Sequence, residues 1–358
     1  MGLRNPRWNL NSPKILFYVL GLYCLCPISL QAQLIPKKDS TAIVSFADKF
    51  VFKLNIDTQT DTYLFQDRLG GPDFRLAPNN NYSLFLSLDY QFIGMSLGFS
   101  PTFFSGNKDD DLKGESSFTD FRFRAAIGQW VQGFQYAKIK GYYVENTGDY
   151  LPDWVEGQDP YIQLNNLSNT KFGMSTSYVF NPNFSFRNVL YQTEWQKKSA
   201  GSFIPTLFYS YDIFDVALEN FESDERSVPI RLSLGYYYTL VINENWFIAP
   251  HIAPSLGVRF SWDTTILEGN TVKENNTYFT RNLEGGLQLG YASRRVIFGA
   301  GFVFDVNWYD ENTTETIENN KIYALVYVGY RIKAPKFLTK AYRKIEEKLG
   351  LQEIIDNN

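Results

Sequence analysis

An alternation of apolar with small or polar residues recurs in this chain from Tyr82 almost to the C-terminus. Tyr82, Leu84, Leu86, Leu88 and Tyr90 interleave with Ser83, Phe85, Ser87 and Asp89; after a tight turn, Ile93, Met95, Leu97 and Phe99 interleave with Gly94, Ser96, Gly98 and Ser100. Successive side chains of a strand point to opposite faces, so each run reads as a strand with one apolar face. The pattern returns around Phe121, between Ile230 and Tyr238, between Ile252 and Trp262, between Leu283 and Leu289, and between Phe298 and Trp308. Beyond residue 32 no run approaches about 18 consecutive apolar residues, which excludes a bundle of membrane-spanning helices.

A soluble antiparallel sandwich also alternates, but its outer face carries many Lys, Glu and Thr. Here the polar face is rich in Gly and Ser with scattered charges of both signs, as suits a crowded, wet interior. Aromatic residues make up 17% of the chain and gather near strand ends, as interfacial girdles do. The expected fold is all-β: a transmembrane antiparallel up-and-down β-barrel over residues 33–332, surrounded by outer-membrane lipid and inserted with the help of the barrel-assembly machinery. Counting alternating segments gives 13. A barrel with both chain ends on one side needs an even number, so joining 184–212 into one bent strand gives 12, and a missed strand would give 14. Long polar loops are expected at Gly106–Ser117, Asn146–Pro160, Asp215–Ser227, Asp263–Asn276 and Asp310–Asn320, with short turns between.

The ends differ from this middle. Residues 1–32 have the three parts of a secretory signal: a basic start with Arg4, Arg7 and Lys14, an apolar run from Ile15 to Cys26, and small or polar residues up to Ala32. The apolar run is too short to span a bilayer, which takes about 20 residues. Removal of this segment takes Cys24 and Cys26 with it, leaving a cysteine-free chain without disulfides or thiolate sites. It also leaves 31 basic against 38 acidic side chains, with no basic excess for nucleic-acid binding. Residues 333–358 read as a basic amphipathic helix and tail opening at Pro335, with Phe337, Leu338, Ala341, Ile345 and Leu349 on one stripe.

Several strings are familiar. NPNFSFRNVLYQTEWQKKSAGSF from Asn181 to Phe203 resembles the signature segment of the bacterial outer-membrane barrel family catalogued as domain of unknown function 4421. YQFIGMSLGFSP from Tyr90, KGYYVEN from Lys140 and VGYRIKAPKFL from Val328 are similar to other recurrent strings of that family. The resemblance spans nearly the whole chain beyond residue 32. It implies a membrane barrel and no established activity, cofactor or solute.

Rim-site chemistry in outer-membrane barrels usually needs a histidine base. The single histidine, His251, stands four residues before Ser255, about 13 Å away by strand rise, too far for direct activation. No zinc, phosphate-loop or dinucleotide motif occurs, so no metal or cofactor is expected. The more informative row is Gln192, Glu194, Gln196 and Lys198, alternating with Tyr191, Thr193 and Trp195. Such a row is costly toward lipid and comfortable in water, so it is expected to line the lumen with Arg122, Arg124, Arg231, Arg259, Glu284 and Asp305. The lumen is then either a selectivity constriction or a salt-bridged filling. The functional reading is a non-enzymatic outer-membrane barrel: a channel or transport pore for small solutes, or a structural or interaction barrel without conductance, with a rim-site membrane enzyme ranked after both.

Overall fold

A computed structural model describes residues 39, 41–58, 61–67, 73–218, 221–310, 315–336 and 339–340. The expected signal segment and nearly all of the expected C-terminal helix lie outside these residues. The chain forms a closed barrel of 12 antiparallel strands: β2 (Lys49–Asp57), β5 (Ser83–Tyr90), β6 (Ile93–Phe99), β7 (Ser117–Ile127), β8 (Trp130–Val144), β9 (Gln163–Tyr178), β11 (Ala200–Leu218), β12 (Phe221–Val241), β13 (Trp246–Leu267), β14 (Asn270–Ala292), β15 (Val296–Asp310) and β16 (Glu315–Lys333). Each pairs with the next in sequence, and β16 pairs with β2 to close the ring.

The alternation sets the two faces. On β12, Leu232 is 50% exposed and Ser233 is 3% exposed, because the first faces outward and the second faces the bore. Phe52, Leu88, Leu97, Leu207, Leu256, Leu287, Phe302 and Val328 continue the outward apolar belt around the ring. Such a belt is stable only against hydrocarbon, so the fold is that of a membrane barrel of the outer-membrane type.

Four short strands and two short α-helices interrupt this plan. Strands β3 (Thr62–Asp67) and β4 (Phe74–Ala77) form a hairpin above β2 and β5, pairing with the outer part of β16 and with the end of β8. They close the wall above the short hairpin of β6 and β7, so the ring narrows there from 12 strands to ten, β3 and β4 replacing β2, β5, β6 and β7. Strands β1 (Ile43–Ser45) and β10 (Glu194–Gln196) form a separate two-stranded sheet. The two single-turn α-helices are α1 (Asp110–Lys113), in the connection after β6, and α2 (Phe186–Leu190), between β9 and β10.

Two expectations are corrected here. Residues 184–197 form no barrel strand and do not join β11: they make α2 and β10, so the even count arises by deleting that segment. The long loops expected at Asp215–Ser227 and Asp263–Asn276 are largely ladder. Strands β13 and β14 run 22 and 23 residues, well beyond the about 9–11 that cross a bilayer. They stay paired to Leu267 and Asn270. Glu268 and Gly269, with φ of 50° and 82°, make the two-residue turn that positive φ at both central positions allows. Polar residues such as Thr264, Thr265 and Thr271 pair as well above the membrane as apolar ones do within it, which is why polarity alone read as loop.

Candidate functional site: a plugged bore

The signature segment is a plug. After β9 the chain turns through Asn181, whose side chain binds the Gly201 carbonyl at 2.8 Å, and enters the bore as α2. Ser185 caps that helix, accepting from the Asn188 amide at 2.9 Å. The Ser185 hydroxyl donates to Glu194 at 2.5 Å, and the Arg187 guanidinium stands 3.5 Å from the same carboxylate. Gln196 accepts from the Ser185 amide at 2.7 Å and donates to the Asn183 and Lys198 carbonyls. The segment is therefore cross-tied by its own polar side chains, which is why Asn188, Gln192, Glu194 and Gln196 are buried. Strand β1 completes it, with Val44 opposite Trp195. At its edge, hydrogen bonds from the Thr41 hydroxyl and amide hold the Asp39 carboxyl below the usual carboxylate range.

Wall residues receive the plug on several sides. Val189 and Trp195 pack on Val51, Phe247, Ala249, Ala292 and Ile297. Tyr191 and Leu190 pack on Ala126 and Val131, and Phe186 on Val179 and Ile204. Lys53 of β2 donates to the Gln192 side chain at 2.7 Å and lies 3.4 Å from Asp89. Arg331 of β16 donates twice to the Gln192 carbonyl, at 2.7 and 3.1 Å. Arg187 donates to the Ala126 carbonyl of β7 at 2.5 Å. All these contacts lie at the end of the barrel where β5 turns into β6, β7 into β8 and β14 into β15, and there Gly94 leaves room for Tyr191: a Cβ on it would come within 2.8 Å of the ring.

Beyond the plug lies a cavity of about 520 Å³, with Phe186, Val189 and Leu190 at one end and Phe65, Phe214, Tyr309 and Ile317 at the other. Tyr63 of β3 reaches Phe214 of β11 with ring centroids 5.5 Å apart, so aromatic side chains cross the bore on that side. Between the two ends the wall is charged. Arg122 binds Asp120 through two guanidinium nitrogens at 2.7 and 2.9 Å. Arg259 donates to Glu225 and stands 3.9 Å from Asp212, and Lys321 is 3.0 Å from Asp61. Such pairing offsets the desolvation of charges in a confined space.

Of the residues expected to line the lumen, Arg122, Arg124, Arg231, Arg259, Glu284 and Asp305 border this cavity. Gln192, Glu194, Gln196 and Lys198 do not. The first three sit inside the plug, and Lys198 is exposed beside it, bonded to Thr41 at 2.7 Å and 3.8 Å from Asp39. The row does avoid lipid, but by leaving the wall. Sequence reading missed Asp61, Lys171, Asp212, Glu225 and Lys321, all of which border the cavity. Lys321, Tyr323, Leu325 and Tyr327 are alternate residues of the last strand, and that spacing could have placed Lys321 inward.

His251 stacks on Tyr237, with centroids 4.9 Å apart and planes at 2°, and its Nε2 lies 3.7 Å from Glu284. Ser255 is hydrogen-bonded to Asn282 at 3.1 Å. Among the described residues no hydroxyl is hydrogen-bonded to the imidazole, and no group of three or more His, Cys, Asp or Glu has the arrangement of a metal site.

The fold and the segment packed inside its wall define a membrane β-barrel with an internal plug. The chain belongs to the family described as Domain of unknown function (DUF4421), whose model matches residues 37–332. No curated protein matches the sequence. Among solved structures, it is similar to the outer membrane protease OmpT from Escherichia coli, at 9% identity over 81% of this chain and 98% of that one, with a TM-score of 0.41. It is also similar to the P. putida toluene transporter TodX, at 10% identity over 80% and 91% and a TM-score of 0.27. Neisserial surface protein A matches at 11% identity over 78% and 96% with a TM-score of 0.24. Likenesses at these scores define neither activity nor cargo.

Proposed function

We propose that this protein is a gated outer-membrane conduit: a small solute loads into the cavity from the long-hairpin side, and the plug from Asn181 to Lys197 must shift for it to leave at the other end. The observation that carries this reading is the coexistence of a tied plug with a charged cavity of about 520 Å³ directly above it. A barrel that served only as a scaffold would gain stability by filling that space, since an unfilled interior forfeits packing contacts. The volume falls within the roughly 300–1,000 Å³ of small-molecule sites. The plug is held by a handful of hydrogen bonds and small apolar patches, a scale of interaction that a bound solute or partner can offset.

Planar-bilayer recording tests it. The native barrel should be silent or open rarely. A variant in which residues 184–197 are replaced by a short Gly/Ser linker should conduct steadily, with β9 and β11 still joined. A linker variant that retains heat-resistant barrel mobility on gels yet conducts no more than the native protein would overturn the conduit and leave a structural barrel.

A further inference from the structure

The outward apolar belt has a covered corner. On β5, Leu86 and Leu88 face out and Leu88 is 49% exposed, yet Tyr90, on the same face and one step nearer the turn, is 9% exposed, and Phe92 in the turn 5%. The cross-strand partners of Tyr90 on that face, Phe50 of β2 and Ile93 of β6, are half-buried, and Ile127 of β7 joins the same cluster. Elsewhere at this end of the wall Trp130, Phe180 and Ile242 stay exposed. The cover is therefore local to the corner made by β2, β5, β6 and β7.

The chain that leaves β16 leads onto this corner. Past Lys333 it crosses the start of β2, where the Ala334 amide donates to the Asp48 carbonyl at 3.0 Å, and Ala334 packs on Tyr90 and Phe92. A helix then begins at Pro335, whose missing amide costs nothing at a helix start. Lys336, Thr339 and Lys340 are helical, and the Thr339 amide donates to the Pro335 carbonyl at 3.2 Å. In the sequence onward to Leu349, the stripe of Phe337, Leu338, Ala341, Ile345 and Leu349 is surrounded by five cations, Lys336, Lys340, Arg343, Lys344 and Lys348, against two carboxylates, Glu346 and Glu347.

We propose that residues 336–349 form an amphipathic helix lying along the outer wall at this corner, its apolar stripe on Tyr90, Phe92, Ile93 and Ile127 and its cations among the phosphates of anionic phospholipids in the adjoining leaflet. Such a helix is about 21 Å long, enough to cross four strands spaced by about 4.8 Å, which is the breadth of the covered corner. A helix of this kind is held by buried apolar area together with attraction to anionic lipid, and each cation near the surface strengthens the hold about fivefold. The end of the chain thus makes the barrel sensitive to the charge of the leaflet around it, whatever the bore conducts.

Hydrogen exchange tests this on the purified full barrel in vesicles of neutral phosphatidylcholine, alone or mixed with anionic phosphatidylglycerol. Amides from Lys336 to Leu349 should exchange at least about tenfold more slowly than in an unstructured peptide, and slow by a further fivefold or so for each cation engaged once phosphatidylglycerol is present. Lys336→Gln, Lys340→Gln, Arg343→Gln, Lys344→Gln and Lys348→Gln together should keep the first effect and lose the second. Deleting residues 336–358 should speed exchange in the turn from Gln91 to Ile93 and leave β12 and β13 unchanged. Should the shortened chain lack the gel mobility of a folded barrel, Phe92→Ala in the full chain reads the same contact from the wall, through faster exchange of the segment. Exchange of the segment at the rate of a free peptide, or a turn indifferent to the deletion, overturns the docking; equal exchange with and without phosphatidylglycerol overturns the lipid contact.

Discussion

Glu194 shows how one residue can carry two meanings. Read by its spacing, it belongs to a lumen-facing strand row; in the fold it is the buried acceptor that joins Ser185 at the cap of α2 to Arg187 within it. Glu194→Gln keeps the shape and removes the charge, leaving Arg187 with only its carbonyl partner. The expected result is a plug loosened by about 2 kcal/mol, the range for hydrogen bonds to charged groups. Faster hydrogen exchange at Asn188 and Gln196 with an unchanged melting temperature would display it, whereas unchanged exchange would show that this carboxylate does not hold the plug. Gly94 permits a complementary test from the wall. In Gly94→Leu the new side chain occupies the space of the Tyr191 ring, so the plug should fail to seat and channel openings should become frequent. A closed Gly94→Leu barrel would mean that Tyr191 is not needed for sealing.

At the scale of elements, the wall strands were legible because membrane and bore impose opposite polarity on successive residues, as Leu232 and Ser233 do. Arg at position 232 should therefore cost about 2–4 kcal/mol near the bilayer midplane. Denaturant titration of Leu232→Arg measures it; a neutral effect would place this strand outside the lipid. The plug was not legible for the same reason. Tyr191, Thr193 and Trp195 alternate with Gln192, Glu194 and Gln196 as a strand would, yet the chain breaks at Gln192, whose φ of 54° no residue type there announces. The available signal was Ser185 as an N-cap followed by Phe186, Val189 and Leu190 at helical spacing. The strand ends were misread for a different cause. Residues above the membrane pair into ladder without needing an apolar face, so removing the tip from Trp262 to Asn275 should leave the heat resistance of the barrel intact.

For the whole molecule, the closed wall, its even strand count and its apolar belt follow from local pattern plus the rule that no strand edge stays open in lipid. The contents of the bore do not, because which inward charges meet depends on register between strands far apart in sequence, such as Lys321 and Asp61. What function demands of the whole is orientation. A conduit that loads from outside requires the long hairpins outward and the plug toward the periplasm, as short turns on the inner side of such barrels would place it. The described residues contain no cysteine, and both cysteines of the chain lie in the expected signal segment, so single cysteines can report position against a silent background. A membrane-impermeant maleimide added to intact cells should label Gly269→Cys at the tip of the β13 and β14 hairpin. It should leave Ser199→Cys, beside the plug, unlabelled until the outer membrane is permeabilised. If Ser199→Cys labels on intact cells and Gly269→Cys does not, the barrel is inverted: the cavity would then fill from the periplasm, the plug would face the exterior, and the direction of transport argued here would reverse.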